Sequence, residues 1–143
     1  MTIPKQEKRF DYKGFPCVIL FMPMGYRCGY VGVPHYYQSE INTDEIECHC
    51  GVTYGDTHLH RQEDKFTYWI GFDCGHCCDG YDVRTLKKLY ADDESVMKQI
   101  EIMKDYFEIC KDQPIRTLKY CEEQCKGIVE QLIKLGVKAE VSE

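Results

Sequence analysis

Seven residues able to ligate a metal, Asp73, Cys74, His76, Cys77, Cys78, Asp79 and Asp82, crowd into ten consecutive positions directly behind the run Phe66–Phe72. A second group, Cys48, His49 and Cys50, lies upstream. Thiol and imidazole donors from two separated segments are what a tetrahedral zinc site requires. A rigid strand end fixes the first ligand, and a glycine turn such as that at Gly75 folds the others onto the same ion. The spacing therefore predicts zinc somewhere among His49 and Asp73–Asp79. Two other chemistries suit the same residues. Cys74 and Cys77 form a C-x-x-C, although no helical pattern begins there as it does in a thioredoxin-like redox site. A metal-dependent hydrolase would need an open coordination position and a nearby general base, for which Asp73, Asp79 or Asp82 is available. A glycine-rich turn with buried thiols is the plainest alternative.

These residues must be positioned by strands. Phe66–Phe72 is rich in β-branched and aromatic residues and reads as the central strand. Pro16–Met22, a continuous apolar run between Gly14 and Pro23, reads as a fully buried strand. Gly25–Pro34 carries glycines at 25, 29 and 32, but neither a Lys-Ser/Thr pair nor a helix follows. It is expected to be a bent strand beside the first rather than a phosphate loop. Ile46–Tyr54 alternates as a strand, which would put Cys48 and Cys50 on one face and His49 on the other. Residues 1–14 are polar and expected to be a loosely held arm. Residues 35–45 and 55–65 are read as polar loops, the latter holding His58 and His60.

The last third changes period. Val83–Tyr90 suits a short helix. Val96, Ile100, Met103, Phe107 and Cys110 make one apolar stripe, and Leu118, Cys121, Cys125, Ile128, Leu132 and Leu135 make a second, stopped by Gly136. The expected architecture is α+β: a small antiparallel or mixed sheet with a zinc-bearing turn, covered by a C-terminal helical hairpin. Residues 15–82 form the β-rich part and 83–143 the helical part of one domain. Cys17, Cys28, Cys110, Cys121 and Cys125 fall on apolar strands or stripes and are expected to pack as small hydrophobes. The other five of the ten cysteines all fall in the two histidine-bearing clusters.

A chain of 143 residues that is 43% hydrophobic can bury a core without a metal or disulfides. The sequence offers no secretory leader and no apolar segment of membrane-spanning length, so a reducing cytoplasm is the expected setting. A formal charge of −6 argues against direct nucleic-acid binding, which needs a basic face. The densest acidic patch is Glu40, Asp44, Glu45 and Glu47. It suits either a solvated loop or a contact for a basic partner.

The order H-(small)-G-(apolar)-T-Y followed by W-I-G-F-D-C-x-H-x-x-D, here His49–Tyr54 and Trp69–Asp79, resembles a family of small phage and prophage proteins. In them a G-Y-V-x-V-P segment, here Gly29–Pro34, comes first. The resemblance spans roughly residues 15–90. His49, Asp73, Cys74, His76 and Asp79 fit the shared pattern and are the ligands it implies. Cys50 stands where the family has glycine, and Cys77-Cys78 where it has small residues, which makes Cys48, Cys50, Cys77 and Cys78 the second choice. A phage origin implies the class of small acidic inhibitors of host defence, including zinc-containing, non-catalytic inhibitors of RNA-guided CRISPR nucleases. The partner would then be a host protein, probed through its basic channel or a mobile lobe.

Overall fold

The structure, a computed structural model, describes residues 3–59, 62–63 and 65–140; His60 lies outside the described residues. Strands β1 (Lys5–Tyr12), β2 (Phe15–Phe21), β3 (Arg27–Pro34), β4 (Tyr54–Asp56) and β7 (Thr67–Asp73) form one antiparallel sheet in the order β1-β2-β3-β7-β4. Two short strands, β5 (His58–Leu59) and β6 (Gln62–Glu63), pair separately. Helices α1 (Val83–Leu89), α2 (Glu94–Ile102), α3 (Lys104–Ile109) and α4 (Leu118–Lys134) follow. The expected α+β class is the one observed.

The sheet alternates as a two-faced sheet must. Cys17, Ile19, Val31, Val33, Ile70, Phe72 and Cys74 meet Cys121, Cys125, Ile128, Val129 and Leu132 of α4 on one face. Val18, Leu20, Cys28, Tyr30 and Trp69 form a cluster on the other. The glycines of β3 and β7 have a packing reason. Gly29 stands opposite Phe72, Gly32 opposite Trp69 and Gly71 opposite Tyr30. A Cβ on Gly29 would come 2.5 Å from the Phe72 ring, and one on Gly71 would come 2.5 Å from Tyr30. Each aromatic ring thus covers the glycine across from it, which pins the register of the two strands.

Four expectations change, the first being that the stretch 55–65, read as a polar loop, carries the end of β4 and the paired strands β5 and β6. The N-terminal arm is a strand: Lys13 and Gly14 both take positive φ (50° and 88°), the geometry of a two-residue hairpin turn that returns β1 along β2. A register shift between Gln6 and Lys8 marks a bulge there, and Glu7 bonds Arg27. Residues 46–53 do not form a strand, because Cys50 and Gly51 turn the chain at φ 55° and 86°. The first helical stripe breaks at Met103, and its buried members Val96 and Ile100 join Phe21, Leu86 and Tyr90 in a cluster of their own. The C-terminal cover of the sheet is therefore α4, while α1 and α2 close the end of the sheet at Phe21. The polar loop 35–45 holds two short 3-10 turns, His35–Ser39 and Thr43–Glu45.

Helix ends follow their caps. Asp82 accepts from Thr85 N at 3.1 Å, Asp93 from Val96 N at 3.1 Å, and Thr117 from Tyr120 N at 3.1 Å. Gly136, at φ 87°, ends α4 with Val137 N bonded back to Leu132 O. Ile128 is fully buried against the sheet. Ile128→Asp would bury an unpaired carboxylate there, and its thermal denaturation should show a loss of about 3–5 kcal/mol or outright aggregation.

Candidate functional site

The polar centre of the fold is Asp79. It is 3% exposed and His49 is 8% exposed, both far more buried than such residues usually are. The His49 ring straddles the carboxylate, with Nε2 2.9 Å from Oδ1 and 3.0 Å from Oδ2. Arg116 Nε donates to Oδ1 at 2.8 Å and the His76 backbone N–H to Oδ2 at 3.1 Å. On its other side, His49 Nδ1 lies 2.7 Å from the Tyr120 hydroxyl. A carboxylate accepts only, so the Nε2 proton faces Asp79. The Arg116 guanidinium also lies over the Tyr120 ring, 5.1 Å from its centroid.

Three segments are brought together to make this centre. The first is the irregular run 46–53, anchored by buried Ile46. Its backbone takes one bond from a strand, Thr53 N to Gly71 O of β7 at 2.9 Å, and α4 satisfies the earlier part. Glu47 N and O each bond the Gln131 amide at 2.7 Å, and His49 N bonds Gln124 Oε1 at 2.8 Å. The second is the turn after β7, where Asp73 Oδ1 accepts from Gly75 N at 3.1 Å and Asp73 Oδ2 from Thr53 Oγ1 at 3.0 Å. The third is the approach to α4. Gly80 N bonds Pro114 O at 2.8 Å, and a Cβ on Gly80 would strike Gln113 O at 2.4 Å. Arg27 holds this approach from below through Arg116 O at 3.1 Å, while it pairs with Glu7 and Asp82.

The residues expected at a zinc site are distributed as follows. His49 and Asp79 meet directly. Cys74 turns into the core, its sulfur 3.8 Å from that of Cys121. That contact, with burial, pushes the Cys74 thiol up, away from the thiolate that zinc takes. His76 Nε2 is buried without a hydrogen bond, facing Asp73 Oδ1 at 3.3 Å in ion-pair range. Its ring centre lies 6.1 Å from that of His49. Cys48 is half-buried, and Cys50, Cys77 and Cys78 are exposed. Among the described residues no group of three or more His, Cys, Asp and Glu side chains is placed to hold a metal. The donors as arranged fit a chain-satisfied network better than a ready tetrahedral set, because His49 and Asp79 already use their polar atoms on each other, Tyr120 and Arg116.

Arg116, Tyr120, Gln124 and Gln131 are absent from the sequence reading. Tyr120, Gln124 and Gln131 recur at helical spacing beside the apolar stripe of α4, a polar flank that signals contact with backbone lacking partners. Nothing in the sequence marks Arg116. Comparison with protein-family models, with curated proteins and with solved structures returns no match. Among the described residues, no helix is long and apolar enough to cross a membrane.

Burial alone would push the Asp79 carboxyl up; the His49 and then the Arg116 hydrogen bonds outweigh it and hold it below the usual carboxylate range. A depressed folded value makes its contribution complete above the unfolded value of about 3.9 and lost as pH falls through the folded one. Asp79→Asn should lower stability at pH 7 by roughly 2–4 kcal/mol, the range for one partner removed from a buried pair, reduced by the partial exposure of Arg116. In urea titrations below about pH 4, where wild type loses this contribution, the variant should lose less.

Proposed function

We propose that this is a non-catalytic, phage-type protein that binds a host-defence nuclease, an RNA-guided effector of the type II CRISPR class, and blocks its loading of DNA in the host cytoplasm. The observation that supports the reading is the acidic segment before His49. Glu40, Asp44, Glu45 and Glu47 are all exposed, and none pairs with a cation among the described residues. Their backbone is held: Asn42 Oδ1 accepts from Asp44 N at 3.1 Å, Ile46 is buried, and Gln131 clamps Glu47. Negative charge presented on an ordered segment suits a basic nucleic-acid channel, and less ordering remains to be done on binding. Direct contact with nucleic acid or membrane has no part in the reading.

Zinc enters the proposal through shape alone. An ion taken up near His49 and the Asp73–Asp79 turn would contribute by holding those segments, and its removal would matter only as far as the fold loosens. A metal-dependent hydrolase using His49 and residues 73–79 is the less favoured reading, because a general base needs a free nitrogen or oxygen for substrate, whereas both ring nitrogens of His49 are engaged, by Asp79 and the Tyr120 hydroxyl, and Asp79 is engaged by His49 and Arg116.

The test titrates the protein into a fixed amount of RNA-loaded type II nuclease and target DNA. Inhibition should saturate near equimolar protein. Replacing Glu40, Asp44, Glu45 and Glu47 by their amides should weaken it by about tenfold or more, and added salt should do the same. Undiminished cleavage at about tenfold excess, or multiple turnovers of a substrate by trace protein, would overturn the proposal.

A further inference from the structure

The stretch 36–45 and the chain after α4 enclose a cavity of about 430 Å³, away from the polar centre. Two short turns build one side of it. In a 3-10 turn, side chains three apart stand one above the other, so Tyr37 and Glu40 share a face, and Asn42 and Glu45 do the same one turn later. Backbone bonds fix both pairs, with Glu40 N donating to Tyr37 O at 3.0 Å and Glu45 N to Asn42 O at 3.1 Å. Ile41, Leu135 and Val137 form the apolar wall. The Tyr37 hydroxyl accepts from Lys138 N at 3.1 Å, which ties the chain after α4 to the first turn.

Two kinds of side chain are left over at this cavity. Tyr36 and Leu135 are 63% and 50% exposed, large apolar groups held in water. Glu40 and Glu45 are exposed carboxylates without an ion pair among the described residues. Among those residues no Lys, Arg or His lines the cavity. A larger cavity that shares Tyr36, about 600 Å³, differs in this respect, because His35, Lys65 and Glu140 line it together and its charge selects neither sign.

We propose that the smaller cavity is a binding site for an arginine side chain presented by a basic protein partner. The methylene stem of arginine covers Ile41, Leu135 and Val137 while its charged head stays at the rim. The planar guanidinium stacks on the Tyr36 ring, and its fork of five N–H donors serves two carboxylates at once. A lysine ammonium has the stem without the plane and is more strongly hydrated. A bare metal ion would leave the apolar wall unused, and no three donors are placed to hold one among the described residues. The inference rests on the reading of the acidic segment as the contact for a basic partner. Within that reading, Glu40 and Glu45 act as a pair at a cavity, whereas Asp44 and Glu47, which do not line it, add only long-range charge.

The experiment titrates the full chain, with its Ile, Leu and Val methyl groups labelled for NMR, with a blocked pentapeptide carrying one arginine between glycines. The methyl signals of Ile41, Leu135 and Val137 should shift, and those of Val18 and Ile128 should not. The same peptide with citrulline, which keeps the shape and loses the charge, should bind about tenfold more weakly. Glu40→Gln and Glu45→Gln should each weaken arginine binding by about threefold to fivefold, while Asp44→Asn and Glu47→Gln, which remove the same charge, should each change it by less than about twofold. Tyr36→Ala should weaken it by about threefold. Equal effects of the four charge removals, equal binding of the citrulline and arginine peptides, or unmoved methyls at Ile41, Leu135 and Val137 would overturn the proposal. The nuclease titration separates the two readings. Inhibition by a protein whose methyls ignore the peptide would remove the arginine site and leave the inhibitor, and arginine binding without inhibition would do the reverse.

Discussion

One carboxylate is asked to satisfy three partners from three parts of the chain. Asp79 accepts from the His49 ring, the His76 amide and the Arg116 guanidinium while it is removed from water. A charge buried without partners would cost several kcal/mol, and the fold offsets that cost by bringing the run 46–53 and the approach to α4 onto the turn after β7. The rest of the polar structure leans on this joint. Tyr120 completes the His49 ring, and Gln124 and Gln131 supply the backbone bonds that a strand would otherwise have given. The acidic segment 40–47 is held at its far end by the same clamp.

Beneath the joint lies a sheet whose register is set by glycine facing aromatic. Phe72, Trp69 and Tyr30 each cover a glycine on the neighbouring strand. Side chains on either glycine face would push β3 and β7 apart, so the strand that carries the Asp73–Asp79 turn has one position relative to Arg27. From there Cys74 N bonds Arg27 O at 2.9 Å, and Arg27 reaches Arg116 O. Sheet register thus sets where Asp79 meets Arg116, and the core and the polar centre form one mechanical unit.

Much of this was legible in residue order. Phe15–Phe21 and Thr67–Asp73 announce themselves by apolar and β-branched runs, and α4 by a stripe that ends at Gly136. The edge strand β1 was hidden because its outward residues are charged and its hairpin turn is Lys-Gly, a pair without a strong turn signature. Run 46–53 alternates like a strand, yet Cys50 sits at positive φ and breaks it, a backbone fact that composition does not carry. Met103 interrupts a periodicity that looked continuous. At the polar centre, His49 and Asp79 stood out as chemistry-bearing residues. Their main partners Arg116 and Tyr120 come from a segment more than 30 positions away, and only the fold brings it near. Cys74 looked like a donor and is a core residue, because strand alternation continues through it to the face that α4 covers.

The central claim is that Asp79 couples three segments, and amide hydrogen exchange followed by mass spectrometry on wild type and Asp79→Ala tests it most directly. Joint loss of protection in residues 46–53, in the turn after β7 and in the approach to α4, with the amides of β2 and the middle of α4 still protected, is the predicted pattern. Loss confined to the turn after β7, with residues 46–53 and the Pro114–Thr117 stretch exchanging as in wild type, would contradict it.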